Sequence, residues 1–168
     1  MKLRGRVWKY GDDIDTDVIY PGKYLVSFDP EEAAAHAMEG VEKDFRKKIA
    51  KGDVLVVGKN FGCGSAREQA ALALKYAGIG AVVAESFART FYRNAINIGL
   101  PALEARGMGK EFREGDEVEI DLDRGLIRNL SAGGEFKLEP QDPFIMEILK
   151  AGGAIPFYRA RIRAGGKG

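Results

Sequence analysis

The stretch Gly58-Lys59-Asn60-Phe61-Gly62-Cys63-Gly64-Ser65-Ala66-Arg67-Glu68-Gln69 decides how the rest of the chain is read. It follows a strand-like stretch over residues 53–57, apolar from Val54 to Val57, and opens an alanine-rich segment over 66–77 that stops at Gly78. A buried strand, a glycine loop and a helix closed by a left-handed glycine cap are the expected order. Glycines in such a loop let backbone amides converge on an anion, and the start of the next helix adds positive potential. Ser65 and Glu68 fit a capping box, with the serine capping the helix and the glutamate reaching back to its amide. That pattern does not explain three glycines in seven residues, Gly58, Gly62 and Gly64. Nor does it explain Arg67 in a first helical turn, where acidic residues are favoured.

Downstream, residues 80–84 read as a second buried strand, 86–98 as a helix ended by Gly99, and 100–104 as a third strand. Short apolar strands alternating with helices predict a parallel sheet covered on both faces. After residue 104 the pattern changes. Residues 117–121, 126–129 and 135–138 are short and turn-linked, which predicts a small antiparallel meander, and 142–150 reads as a late helix. The tail 164–168 is expected to fray. Upstream, residues 3–10 read as a first strand, followed by the acidic turn 11–17 and a turn at Pro21-Gly22. Residues 30–38 predict a helix with Asp29 as N-cap and Pro30 at its first position, and 41–51 a further helix. With no repeat and no linker, residues 1–168 are read as one α/β domain.

Composition narrows the function. Hydrophobic residues at 45% and charged residues at 30% suit a globular chain with a real core rather than a disordered one. The net charge of +1 lacks the basic excess of a nucleic-acid binder. One cysteine and one histidine provide no disulfide and no thiolate or imidazole metal site within the chain. No apolar run approaches the length of a membrane span, and a cytoplasmic location is expected.

Two nucleotide readings fail on the loop itself. A Walker loop ends in Gly-Lys-Ser/Thr, which is missing. A dinucleotide loop places its third glycine at 67, where this chain has Arg67, although Glu85 sits at the right distance for the ribose acid. A carboxylate site fits better. Arg67 offers a two-bonded fork for a carboxylate, beside the hydroxyl of Ser65 and the amides near Gly64. Helix-end potential supplies at most ~2 kcal/mol, roughly 1.5 pKa units, too little to ionise a serine at neutral pH. If Ser65 acts as a base, further positive charge comes from Arg67, from more amides and from a cationic centre on a partner. Cys63, between two glycines, is expected to have a somewhat acidified thiol. Asp12, Asp13, Asp15 and Asp17 lack the spacing of a calcium loop, so Thr16 and Asp17 are read as orienting an active-site loop. His36 is expected to be merely exposed.

Three ordered motifs carry a resemblance. Asn60 to Ala70 closely resembles the signature of the aconitase swivelling-domain family. Asp15-Thr16-Asp17-Val18-Ile19-Tyr20-Pro21-Gly22-Lys23-Tyr24-Leu25 looks like its N-terminal motif, and Ser86 to Asn94 with Gly99-Leu100-Pro101 is similar to its third block. At this length the chain resembles the free-standing small subunits of isopropylmalate dehydratases. The resemblance implies a swivelling β/β/α domain that covers a separate large subunit carrying a four-iron four-sulfur cluster, with no cofactor in this chain. It implies a hydro-lyase that removes and re-adds water on a small hydroxy-dicarboxylic acid, interconverting 2-isopropylmalate and 3-isopropylmalate in leucine biosynthesis. Ser65 corresponds to the serine base and Arg67 to the arginine that binds a substrate carboxylate.

Tyr24, Leu25, Val26 and Ser27 correspond to a specificity segment, in which the residue after Tyr-Leu is the selector. An arginine there holds a carboxylate arm in homoaconitase-like chains, whereas Val26 suits an isopropyl group, since a charged arm against an aliphatic wall loses its hydration. The chain departs from the family at Ala66, where many members have a second serine, and at Gln69, where others have histidine. The competing readings are a homoaconitase or methylmalate-type small subunit, and a non-catalytic anion- or nucleotide-binding module. Self-association of the isolated chain stays open.

Overall fold

The computed structural model describes residues 1–165. Strands β1 (Lys2–Lys9), β2 (Val54–Val57), β3 (Ala81–Ala84), β4 (Ala102–Glu104), β5 (Glu117–Asp121), β6 (Leu126–Asn129) and β7 (Glu135–Lys137) form one sheet in the order β4-β3-β2-β1-β5-β6-β7. Helices are α1 (Thr16–Ile19), α2 (Pro30–Ala35), α3 (Phe45–Lys48), α4 (Glu68–Ala77), α5 (Arg89–Ile98), α6 (Pro143–Lys150) and α7 (Ala154–Gly165).

The expected parallel unit and antiparallel meander are both present, as two halves of that one sheet. β1 joins them. It runs parallel to β2, with Val7 opposite Val54, and antiparallel to β5, with Leu3 opposite Ile120. All four residues of β2 and of β3 are buried, as their uninterrupted apolar runs predict. Side-chain alternation then divides the interior. Leu55, Val57, Val82 and Ala84 face a core shared with Ala70, Leu74, Phe91 and Ala95 of α4 and α5. Val54, Val56, Ala81 and Val83 face the other way, toward Phe112, Val118, Ile120 and Ile127 of the antiparallel half.

Several boundaries differ from expectation. The helix predicted over 41–51 is reduced to α3, because Met38 and Asp44 take left-handed backbone conformations (φ 57° and 58°) that stop a helix from propagating. Helices predicted from 66 and 86 begin at 68 and 89. Phe61 and Cys63 form isolated bridges to neighbours on two sides. On one side the Gly62 amide donates to the Ile14 carbonyl and the Thr16 amide to the Cys63 carbonyl, both 2.8 Å. On the other the Phe61 amide donates to the Ser86 carbonyl (3.1 Å) and the Ala88 amide to the Phe61 carbonyl (2.9 Å). These bonds carry the β1-β2-β3 pairing past the strand ends, and those of Ser86 and Ala88 delay the later helix.

The predicted caps are found at Asp29, whose side chain accepts from the amides of Glu31 and Glu32, and at Gly78 and Gly99, both left-handed. The helix α7 was not expected. Ala164 and Gly165, assigned to a frayed tail, lie inside it, and residues 166–168 fall outside the described residues. Phe157 anchors α7 against Ile96, Ile148 and Leu149. Among the described residues no helix is long and apolar enough to cross a membrane.

Candidate active site

The loop after β2 is shaped by glycines. At Gly62 the backbone is left-handed (φ 79°), and a Cβ there would lie 2.2 Å from Phe91 Cγ, so the close approach of α5 excludes any side chain. Gly64 is also left-handed (φ 89°), but a Cβ there would meet Asp15 Cβ and Thr16 Oγ1 only at 3.6 Å, an ordinary contact, so the backbone conformation alone calls for glycine.

Ser65 follows on the surface, and no hydrogen bond takes its hydroxyl among the described residues. The capping box is not formed. Arg67, in extended conformation (φ −127°, ψ 108°), occupies the N-cap position of α4, which places Ser65 three residues before the first helical one. Ser65 therefore gains less from the helix end than its sequence position suggests, because that potential falls off within a turn. What it has instead is exposed backbone. Among the described residues no hydrogen bond takes the amides of Gly64, Ser65, Ala66 or Arg67.

The N-terminal motif folds onto this loop. Thr16 is buried; its hydroxyl donates to the Ser65 carbonyl at 2.8 Å and its amide to the Cys63 carbonyl. Asp15 caps α1 by accepting from the Val18 amide at 2.8 Å. Asp17, at the exposed start of α1, accepts from Arg67 Nη1 at 2.8 Å and from the Gly22 amide at 2.8 Å. The same Nη1 donates to the Tyr20 carbonyl at 3.2 Å. The Arg67 side chain is only 17% exposed, and its Nη2 edge carries no partner among the described residues. One edge of the guanidinium is thus fixed by this chain while the other is free for an incoming carboxylate. The Arg67 guanidinium, aided by the Gly22 amide, holds the Asp17 carboxyl below the usual carboxylate range, so Asp17 is ionised at neutral pH. The remaining acidic residues of the turn are also engaged. Asp12 accepts from the Lys59 amide (2.7 Å) and Asp13 from the Asn60 side-chain amide (3.0 Å).

The structure therefore brings Gly64, Ser65, Arg67, Thr16 and Asp17 together. Tyr24, Leu25, Val26 and Ser27 follow from Gly22, whose backbone borders the guanidinium. Their roles divide. Leu25 packs against the core, and Ser27 Oγ accepts from the Asp29 amide at 3.1 Å. Val26 is 93% exposed, and Phe28 is also exposed. Neither serves this chain's interior, which leaves both free to meet something outside it.

Two expectations are corrected. The Cys63 thiol is raised rather than acidified, by burial first and then by Asp15 and Asp13, since it lies five residues before the helix. His36 is half-buried; its ring stacks on Tyr24 with centroids 3.5 Å apart. The Tyr20 carbonyl, a partner of Arg67, had no sequence signal at all, because a backbone acceptor belongs to any residue.

The chain matches the Aconitase C-terminal domain family over residues 12–107. It is 53% identical, across 161 residues, to the 3-isopropylmalate dehydratase small subunit of Caldanaerobacter subterraneus subsp. tengcongensis, covering 96% of this chain and 100% of the relative. It is 52% identical over 163 residues to the methanogen homoaconitase small subunit of Methanothermobacter thermautotrophicus, covering 97% and 94%. The crystal structure of 3-isopropylmalate dehydratase from Methanocaldococcus jannaschii superimposes with a TM-score of 0.94 at 49% identity, covering 99% of each chain. Matched over more than half its length by the family and over nearly all of it by these relatives, the chain belongs to the aconitase family as a C-terminal-type domain.

Proposed function

We propose that this chain is the small subunit of a hydro-lyase that interconverts 2-isopropylmalate and 3-isopropylmalate, a step of leucine biosynthesis, together with a large subunit. The observation that carries the reading is the exposed Ser65 hydroxyl beside the half-occupied, largely buried guanidinium of Arg67, the two braced by Thr16 and Asp17. Such a surface is half of a pocket. With a single cysteine the chain lacks the set of thiolates that an iron–sulfur cluster needs, so the cluster expected for the family is assigned to the large subunit. There it supplies a Lewis acid for the departing hydroxyl.

In this scheme the free Nη2 edge of Arg67 anchors a substrate carboxylate. The Ser65 oxygen takes the proton from the carbon beside that carboxylate as the hydroxyl leaves the adjacent carbon; rehydration then places a hydroxyl on the carbon that lost the proton and a proton on the carbon that lost the hydroxyl. A serine alkoxide needs strong stabilisation. The free amides around Gly64 and the guanidinium supply part of it, and closure of the partner excludes water and strengthens both. Ala66, exposed beside Ser65, offers no second hydroxyl to the substrate.

The assembly test uses purified proteins. The chain alone is expected to bind no iron and turn over no substrate, and addition of the cluster-loaded large subunit to yield isopropylmalate isomerase activity. Turnover by the isolated chain would overturn the two-subunit reading.

Val26 separates isopropylmalate from homoaconitate-type substrates, a distinction made pointed by the homoaconitase relative. Exposed and apolar, it suits an isopropyl group. Val26→Arg is expected to shift relative kcat/KM by about tenfold or more toward a malate homologue with a longer carboxylate arm, because the new charge pairs with that arm while isopropyl loses its apolar contact. Steady-state kinetics over a panel of malate homologues reads this directly, and an unchanged ratio removes Val26 as selector.

A further inference from the structure

We infer that Glu39 is a positioning residue for the specificity segment, holding Tyr24 so that Val26 meets the substrate at a fixed place. This rests on the reading of that segment given above.

The two oxygens of Glu39 do different work. Oε1 accepts from the Tyr24 hydroxyl at 2.7 Å and lies 3.5 Å from Lys23 Nζ. Oε2 meets His36 Nδ1 at 2.6 Å. The His36 ring in turn stacks on the Tyr24 ring, nearly parallel at 10°. Tyr24 is thus held by its hydroxyl and its ring, and by its carbonyl as well, which accepts from the Tyr20 hydroxyl at 2.9 Å. Two residues on, Val26 has almost no contact of its own. Its placement depends on the turn that Tyr24 ends, in which the Leu25 amide donates to the Gly22 carbonyl at 3.2 Å.

Glu39 is itself tied to the catalytic side. Its neighbours dock on α1: the Met38 amide donates to the Ile19 carbonyl (2.7 Å) and the Gly40 amide to the Val18 carbonyl (3.1 Å). A Cβ on Gly40 would lie 2.6 Å from Val18 Cα, so this contact is backbone on backbone. The helix that presents Asp17 to Arg67 is therefore the platform from which Glu39 reaches Tyr24. Burial raises the Glu39 carboxyl, but the Tyr24 hydroxyl, His36 and Lys23 outweigh it and keep the group ionised.

A merely structural surface network would change stability and leave discrimination untouched. The test uses the assembled enzyme with Glu39→Ala, Glu39→Gln and Tyr24→Phe, assayed on 2-isopropylmalate and 2-methylmalate. Glu39→Ala and Tyr24→Phe are expected to raise KM for 2-isopropylmalate about tenfold, leave kcat within about threefold, and narrow the preference over the methyl homologue. Glu39→Gln, which keeps an acceptor for the Tyr24 hydroxyl, recovers most of the loss. An unchanged KM, or an equal fall in kcat on both substrates, overturns the proposal. If Glu39→Ala does not fold, Tyr24→Phe, which loses a single oxygen, decides. If the unmutated pair turns over neither acid, the isopropylmalate reading fails by itself. The positioning role is then read from hydrogen exchange of the Leu25 amide in the isolated chain: faster exchange in Tyr24→Phe supports it, and an unchanged rate overturns it.

Discussion

Ser65→Ala is expected to lower kcat of the assembled enzyme by about 10³-fold or more, at the upper end of what a positioned proton acceptor contributes. Stability of the variant is expected to stay within about 0.5 kcal/mol of the parent. The structure makes this contrast sharp. A serine that capped α4 would cost ~1 kcal/mol when truncated, but Arg67 occupies the cap position and the Ser65 hydroxyl holds nothing within its own chain. What anchors Ser65 is its carbonyl, through Thr16, and alanine keeps that carbonyl. Loss of rate with an unchanged melting curve therefore isolates the hydroxyl. A near-normal rate in Ser65→Ala would end the assignment of Ser65 as base.

Arg67→Lys is the second large effect. One guanidinium nitrogen already serves Asp17 and the Tyr20 carbonyl, while the other edge is free. An ammonium on a shorter stem is a point charge and cannot satisfy both internal acceptors and a planar carboxylate at once. kcat/KM is expected to fall about 10²-fold, with KM carrying most of the change, since a charged two-bonded contact is reduced to a single one. Asp17, left with a weaker partner, is expected to titrate nearer the ordinary carboxylate range, which an NMR pH titration reads without any substrate. Lysine kinetics indistinguishable from arginine would mean that the carboxylate docks elsewhere.

The parallel half of the sheet was legible because Val54–Val57 and Ala81–Ala84 are uninterrupted apolar runs, a pattern that only strands covered on both faces need. Gly78 and Gly99 marked their helix ends correctly for a local reason, the left-handed cap. Starts of helices were less legible. Residues 66–67 and 86–88 have nothing in their own spacing against helix; at 86–88 the hydrogen bonds of Ser86 and Ala88 to Phe61 delay the helix, and those bonds join residues distant in sequence. The helix α7 went unread although Ile155, Tyr158 and Ile162 stand at helical spacing; in the fold that stripe stays exposed and Phe157 is the buried anchor.

At the candidate site, Ser65 and Arg67 are singled out in the sequence by their motif, and so are Thr16 and Asp17. The contacts of Thr16 with Ser65 and of Asp17 with Arg67 span about fifty residues, and no local pattern encodes them. Cys63 was misread for a similar reason. Its thiol answers to burial and to Asp13 and Asp15, folded beside it, rather than to the helix that its sequence position seemed to place nearby.

The central place of β1 bears on how the chain comes off the ribosome. Its partner β2 is complete at Val57, but β5, which closes its other edge, is complete only at Asp121. At translation rates of about 5–20 residues per second, that edge waits roughly 3–13 s with its amides and carbonyls bare. The waiting strand carries Lys2, Arg4, Arg6 and Lys9. Two nascent copies therefore repel each other along the very edge on which they would otherwise stick, and the charge pattern of the first eight strand residues guards the chain until its own C-terminal half arrives.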